Sequence, residues 1–265
     1  MSEDLLRRDE DGVLVLTLNR PDSLNSLSLP MNEALQAALR DAEVDETVGC
    51  VVLTGAGERA FCSGGDVKRM AAAGAQAAPS FERQLQELRR RVEVSRLLHE
   101  IPKPTIAMVN GVAAGAGLSL ALACDMRFVA RRARMSTAFA RVGYSGDYGG
   151  HYYLHKLVGT AKARELYFTA EMLDSTKIEA LGLANRVIDD DKLVAETMAF
   201  AKKLAQGPRV AFALMKGNMK VAEEGTLAQA LDAEAWRMIR ARDTEDHKEA
   251  ARAFVEKRQP VFKGR

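Results

Sequence analysis

Short runs of consecutive apolar residues, separated by stretches with helical periodicity, fill the first half of this chain. The run Val13-Leu14-Val15-Leu16-Thr17-Leu18 follows the acidic turn Asp9-Glu10-Asp11-Gly12 and stops at Asn19-Arg20-Pro21, which predicts a strand. A helix then opens near Ser28, with Pro30 in its first turn and Met31, Leu35, Ala38, Leu39 and Ala42 on one face. Residues 48–54 form an apolar run that suits a strand buried on both faces. Phe81 to Glu100 has the pattern of one amphipathic helix, stopped by Pro102 and Pro104. A strand over 105–109, a helix over 118–123 and a strand over 126–130 follow. Strand, helix and strand in succession predict a parallel sheet covered by helices, an α/β core.

After Thr160 the pattern turns almost wholly helical, over 161–169, 175–181, 190–206, 209–223, 226–242 and 246–256. Gly182, Gly207-Pro208 and Gly225 punctuate these segments. The expected division is a core over 1–195 and a C-terminal helical region over 196–265, whose helices pack on a neighbouring subunit. Residues 71–80 (AAAGAQAAPS) form the loosest stretch and are expected to be a loop.

Composition narrows the class. The chain has 265 residues with 38 Lys+Arg against 36 Asp+Glu, and this near balance argues against a nucleic-acid binder. No apolar run approaches the roughly 18 residues needed to span a bilayer, and the start MSEDLLRRDEDG has no signal-like apolar region. The expectation is a cytoplasmic enzyme without a membrane partner. Cys50, Cys62 and Cys124 are odd in number and widely spaced, which favours neither a disulfide framework nor a zinc cluster.

Two segments share one plan of strand, glycine-rich exit and helix. One runs from Val51 through Gly55 and Ala60-Phe61-Cys62-Ser63-Gly64-Gly65-Asp66 to an expected helix at Val67; the other runs from Thr105 through Asn110-Gly111 and Gly115-Ala116-Gly117 to a helix at Leu118. Each sets unpaired backbone N–H groups at a helix start, where the dipole also favours negative charge. If the loops converge, one N–H from each could hold a developing oxyanion, worth about 3–4 kcal/mol per donor. The competing reading is that the glycines only permit tight turns and close packing.

Other chemistries fit less well. Neither loop carries the Gly-Lys-Ser/Thr ending of a phosphate loop, and Gly115-Ala116-Gly117-Leu118-Ser119-Leu120 fails the dinucleotide fingerprint at its third glycine. His151 and His155 have metal-compatible spacing, but Tyr152, Tyr153 and Leu154 between them supply no glutamate, so packing or surface histidines are the expectation and no metal site is assigned. Gly143-Tyr144-Ser145-Gly146 lacks the last glycine of a nucleophile elbow, because Asp147 stands there. Asp147 itself, among glycines and aromatics just before a helix near Gly150, reads either as a turn or cap aspartate or as a buried functional acid.

Several segments together resemble the enoyl-CoA hydratase/isomerase (crotonase) superfamily over essentially the whole chain. The carriers are Leu18-Asn19-Arg20-Pro21 with Leu24-Asn25-Ser26-Leu27, Ala60 to Val67, Pro102-Lys103-Pro104, Asn110 to Gly117, Cys124-Asp125 and Phe254-Val255-Glu256-Lys257-Arg258. The resemblance implies a crotonase-like spiral of ββα units with a C-terminal helical oligomerisation region, giving a homotrimer or a dimer of trimers. It also implies an acyl-CoA thioester substrate, with coenzyme A entering as part of the substrate and no separate cofactor. By motif position the thioester oxygen sits between the N–H groups of Gly65 and Ala116. Leu24, Asn25 and Ser26, with Ser63, Gly64, Gly65, Asp66, Val67 and Lys68, would line the coenzyme A path, and Gly117, Phe139 and Tyr144 the acyl end.

The departures from the family pattern bear on the reaction. Hydratases that resemble this chain use two glutamates, at positions that here are Ser119 and Phe139. Adding water needs a base for the water and an acid for C2, which a serine and a phenylalanine do not supply. Asp147 instead matches the aspartate of ring-epoxide phenylacetyl-CoA isomerases. Aryl-CoA dehalogenases use that position too, but their histidine and tryptophan align with Arg96 and Phe139. The expectation is a double-bond shift through Asp147, with burial among Phe139, Tyr144 and Tyr148 raising its pKa. Hydration or a lyase reaction through Asp147 and an ordered water, and an acyl-CoA-binding protein without catalysis, stay open as alternatives.

Overall fold

The computed structural model describes residues 3–65 and 80–265. The described elements follow in the order β1 (Leu5–Glu10), β2 (Val13–Leu18), α1 (Leu29–Val44), β3 (Cys50–Gly55), β4 (Ala60–Cys62), α2 (Phe81–Arg91), α3 (Glu93–Glu100), β5 (Thr105–Val109), β6 (Val112–Ala114) and α4 (Ala116–Ala123). They continue with β7 (Met126–Ala130), β8 (Met135–Ser136), α5 (Gly150–Val158), α6 (Thr160–Thr169), α7 (Ser175–Ala180), β9 (Arg186–Ile188), α8 (Leu193–Ala205), α9 (Arg209–Glu224), α10 (Leu227–Arg242) and α11 (Glu245–Glu256).

Six strands form one sheet in the order β1-β2-β3-β5-β7-β9, with only β1 antiparallel to its neighbour. The short strands β4, β6 and β8 form a second, parallel sheet. Each of β3, β5 and β7 is therefore followed by a short strand in the other sheet, and this repeated unit is the crotonase-like spiral. The apolar runs become strands because both faces are covered: every residue of β3 and β5 is buried. Helix α1 buries the anticipated Met31, Leu35, Ala38, Leu39 and Ala42, and its N-terminus is capped by Ser28, whose hydroxyl accepts from Met31 N at 3.1 Å.

Three features differ from the periodicity. The expected single helix over 81–100 is two, because the chain tightens to i→i+3 bonding at Val92, where Ser95 N donates to Val92 O at 3.1 Å. No glycine or proline marks that break. The helix after the second glycine loop begins at Ala116, not Leu118. The boundary expected at 195/196 falls inside α8, which packs against β2, β3, β5 and β7 and so completes the core. The expected helix at Val67 and nearly all of the loop over 71–80 lie outside the described residues; Ser80, the last of that loop, caps α2 through Arg83 N.

Helices α9 and α10 pair with each other and bury no residue completely. Helix α9 is tied to the core by Lys216, which donates to Asp125 Oδ2 at 2.7 Å, and by Lys220, which donates to Glu100 at 2.6 Å. Asp125 also accepts from the backbone N–H of Thr105 at 2.7 Å, so the Cys124-Asp125 pair acts as a brace between β5, β7 and α9. No helix among the described residues is long and apolar enough to cross a membrane.

The layers meet most closely where α4 starts. A Cβ built on Gly117 would stand 2.1 Å from the carbonyl oxygen of Cys62 in β4, a backbone atom with no freedom to yield. Gly117→Ala is therefore expected to destabilise the protein by about 3 kcal/mol or to prevent folding. Urea denaturation checks this, and an unchanged midpoint contradicts it.

Candidate active site

Two backbone loops, one turn and one helix face enclose a cavity of about 320 Å³. Ser63, Gly64 and Gly65 contribute from the loop after β4, and Gly115 and Ala116 from the loop before α4. Phe139, Val142, Tyr144 and Asp147 line it from the segment before α5, and Leu88 of α2 borders it. Seven positions singled out from the sequence, Ser63, Gly64, Gly65, Ala116, Phe139, Tyr144 and Asp147, are thus brought to one cavity.

The two glycine loops touch. Gly64 has φ +95°, which a side chain would strain, and a Cβ there would also meet Ala114 O at 2.8 Å and Ala116 N at 3.3 Å. The neighbouring polar groups are spoken for: Ser63 N donates to Leu24 O at 3.0 Å, Gly64 O accepts from Leu27 N at 2.8 Å, and Gly115 N donates to Ser136 O at 3.0 Å. The N–H groups of Gly65 and Ala116 donate to no acceptor among the described residues. Ala116 opens α4, so its N–H has no partner within the helix, and the dipole there favours negative charge.

Asp147 is the one carboxylate among the described lining residues. Its Oδ1 is buried with no hydrogen-bond partner among the described residues, and burial pushes its pKa up to about 6. Its backbone is held in place by Ser119 Oγ, which donates to Asp147 O at 3.1 Å, and by Gly150 N, which donates to the same oxygen at 3.2 Å. Ser119 also lies against Gly115 O at 3.3 Å, so it ties the second glycine loop to the aspartate turn.

The aromatic surroundings differ in part from the expectation. Phe139 is buried and Tyr144 lines the cavity, but Tyr144 is 57 % exposed and forms its rim. The phenol of Tyr148 turns away, toward α1, where its hydroxyl donates to Asn32 Oδ1 at 3.0 Å. The ring that sequence reasoning missed is Tyr167 of α6. It lies parallel to Phe139, with centroids 6.2 Å apart, and stacks on His151 at 3.9 Å. A Cβ on Gly150 would meet both the Tyr167 hydroxyl at 2.5 Å and Ser119 Oγ at 2.4 Å, so these two hydroxyls converge behind the Asp147 turn. Burial, with a smaller contribution from the Asp147 charge, raises the Tyr167 phenol above its ordinary value. Nothing in the local pattern of residues 161–169 signals this, because the contact is set by the crossing of α6 over the turn.

Other positions assigned to ligand contact sit elsewhere. Asn25 is 1 % exposed, and its amide donates to Ala56 O at 3.0 Å and Ala60 O at 2.8 Å while its Oδ1 accepts from Arg20 N at 3.0 Å. Ser26 is buried and accepts from the Arg20 guanidinium at 3.1 Å, and Leu24 takes the left-handed conformation that ends the turn over 21–23. Leu24, Asn25 and Ser26 are therefore outside the cavity lining, and their polar groups shape the loop that supports Ser63 and Gly64. Gly117 likewise faces Cys62, not the cavity. Asp66, Val67 and Lys68 lie outside the described residues. His151 packs on Tyr167, while His155 Nδ1 meets His151 O at 2.9 Å, and no cluster of metal ligands occurs among the described residues.

Residues 8–265 match the family described as enoyl-CoA hydratase/isomerase. The chain is 38 % identical to a 1,2-epoxyphenylacetyl-CoA isomerase of Escherichia coli, with all of both chains covered. It is 35 % identical to a probable enoyl-CoA hydratase of Rhodobacter capsulatus, over 96 % of each. The crystal structure of an enoyl-CoA hydratase from Bacillus anthracis superposes with a TM-score of 0.92 at 30 % identity, covering 99 % of this chain and 100 % of that one. The chain belongs to the enoyl-CoA hydratase/isomerase family.

Two stability measurements follow from this arrangement. Asn25→Ala leaves two backbone carbonyls and one N–H without their partner, and a loss of roughly 2–3 kcal/mol is expected in urea denaturation. A loss near zero contradicts this structural role of the Asn25 side chain. Asp147 has a folded pKa above its ordinary value, so the folded state holds the proton more tightly and loses stability as pH rises from about 4 through about 6. Asp147→Asn is therefore expected to be more stable than the parent at pH 8, by on the order of 1–2 kcal/mol after solvent screening, and equal to it below pH 4. Equal stability at both pH values contradicts the buried carboxylate.

Proposed function

We propose that the protein is an isomerase that moves a double bond in an acyl-CoA thioester by proton transfer through Asp147. The observation that supports this reading is the shared cavity, in which, among the described residues, the N–H groups of Gly65 and Ala116 have no acceptor and accompany one half-buried carboxylate. The thioester oxygen accepts from the two N–H groups. Asp147 takes a proton from C2 or C4 of the acyl chain, and the C–H electrons pass into a dienolate whose oxygen is stabilised by those donors, each worth about 3–4 kcal/mol. The same carboxyl returns the proton to the other carbon, and the thioester is restored with its double bond displaced. Base and acid act in sequence, so one group near its working pKa suffices and no resident cofactor takes part.

Hydration asks for more. A water must be activated while a proton reaches C2, and the positions that would supply the second acid hold Ser119, bonded to Asp147 O, and Phe139, an apolar wall. The aromatic rings beside the cavity favour a bulky or aromatic acyl group. The paired helices α9 and α10 leave Met215, Met219, Leu231, Trp236, Met238 and Ile239 exposed, and we assign this face to contacts in a homotrimer or dimer of trimers. A light-scattering mass of one chain would count against that assembly.

Asp147→Asn is expected to bind acyl-CoA within a few-fold of the parent while turnover falls by about 10³ or more. In the parent, turnover should rise with pH through about 6 and level above it, because Asp147 must start ionised. With a panel of enoyl-CoA thioesters in D2O, the double bond should move without addition of water, with deuterium entering the product only as far as the Asp147 carboxyl exchanges with solvent before returning the proton. Retained turnover in Asp147→Asn removes the carboxylate from the reaction, and net water addition makes the enzyme a hydratase.

A further inference from the structure

Tyr148 follows the candidate acid directly and is held in a way the reaction scheme does not use. It is a non-glycine residue at φ +52°, a conformation that costs energy for a bulky side chain and persists only where the surroundings enforce it. Two contacts enforce it. The hydroxyl of Ser95 in α3 donates to Tyr148 O at 2.7 Å, and the Tyr148 hydroxyl donates to Asn32 Oδ1 at 3.0 Å, across 116 residues of chain. All three side chains are buried. The amide of Asn32 donates to Ser28 O at 2.9 Å, which fixes its orientation and leaves Oδ1 aimed at the tyrosine. Burial holds the phenol above its ordinary pKa, so it remains a donor.

Helix α1 thereby meets both halves of the site. At its entrance, Leu27 N donates to Gly64 O at 2.8 Å and pairs with Gly65 as an isolated parallel bridge. One turn inside the same helix, Asn32 holds Tyr148, the neighbour of Asp147. The loop bearing the Gly65 N–H and the turn bearing the carboxylate are therefore registered against one rigid element, although the chain separates them by about eighty residues. We propose that Tyr148, Asn32 and Ser95 are positioning residues, a clamp that sets the Asp147 carboxylate relative to the Gly65 N–H group. This rests on the reading of Asp147 as the proton-transfer group.

Tyr148→Phe keeps the ring and removes only the hydroxyl. Because a misplacement of about 1 Å can cost roughly 10²-fold in rate, kcat is expected to fall by about 10- to 100-fold with KM within about threefold. A readout that needs no substrate accompanies it: titration of the Asp147 carboxyl in 13C-labelled, ligand-free protein, assigned with Asp147→Asn. Burial is the cause of the raised value in the parent, so release of the turn toward water should lower the carboxyl pKa in Tyr148→Phe. Thr54→Val, which removes another buried hydroxyl bond, from Thr54 Oγ1 to Met108 O in the sheet, serves as the control for lost stability alone and should leave kcat and the titration unmoved. Where Tyr148→Phe does not fold, Ser95→Ala carries the same readouts with the tyrosine retained. A carboxyl titration that stays at the parent value, or a fall in kcat matched by Thr54→Val, overturns the clamp. Retained turnover in Asp147→Asn would overturn the proposed reaction, while the titration would still report on the clamp itself.

Discussion

The approach of helix α4 to strand β4 is the constraint on which the rest of the site depends. The helix can start where it does only because residue 117 has no side chain to meet the Cys62 carbonyl, and the loop after β4 can pass beneath only because residue 64 has none to meet Ala114 and Ala116. Once the two backbones are that close, the first N–H of α4 and the N–H of Gly65 belong to one cavity. Their neighbours are all committed: Ser63 N to Leu24, Gly64 O to Leu27, Gly115 N to Ser136. Among the described residues the two donors are left over by the packing, and no side chain is needed to create them. Such a pocket suits a ligand oxygen that gains charge, because fixed dipoles in a site partly shut from water need no reorganisation when the charge appears.

Much of this was legible from residue order. Strands β2, β3 and β5 are short runs of apolar and β-branched residues, and the buried face of α1 is the one that its period defines. The glycine loops and Asp147 stand out by pattern, but residue order alone leaves tight turns and a cap aspartate as open readings, and it is the family resemblance that joins them into a site. What was not legible depends on contacts between distant segments. The second sheet is built from strands of two or three residues, shorter than any period can reveal. Tyr148 and Tyr167 look alike in sequence, yet one faces Asn32 and the other lies between Phe139 and His151, because Tyr148 sits in the turn before α5 and Tyr167 in α6. Asn25 and Ser26 belong to a family pattern and sit near the right loop, but all their hydrogen bonds found here are spent on shaping it.

Stability and reactivity oppose each other at Asp147. A carboxylate that is half-buried, with one oxygen lacking any donor among the described residues, lowers the stability of the fold at neutral pH, and the turn that carries it has four positive-φ residues, Gly143, Gly146, Tyr148 and Gly149. Tyr148, the non-glycine residue among them, would relax toward ordinary backbone if the turn were free. The bonds from Ser119, Gly150 and Ser95 to the backbone carbonyls of residues 147 and 148 offset that tendency without touching the carboxylate. Among the described residues the side chain is thus left underbonded while its backbone is overdetermined, so the raised pKa and the fixed position come from the same packing.

The same packing explains why a second acid is not a simple addition. A glutamate at position 119 would start from the place where the Ser119 and Tyr167 hydroxyls converge on Gly150. It would also surrender the bond from Ser119 Oγ to Asp147 O, loosening the turn it was meant to assist. If it did fit, two carboxylates would share one poorly solvated site, and their repulsion would keep one of them protonated. At position 139 the aromatic ring is one face of a parallel arrangement with Tyr167, which in turn is stacked on His151. Replacing it with a charged side chain would open that wall to water. The serine, the phenylalanine and the tyrosine thus pack together behind the Asp147 turn, and the proposed reaction asks for no acid in their place.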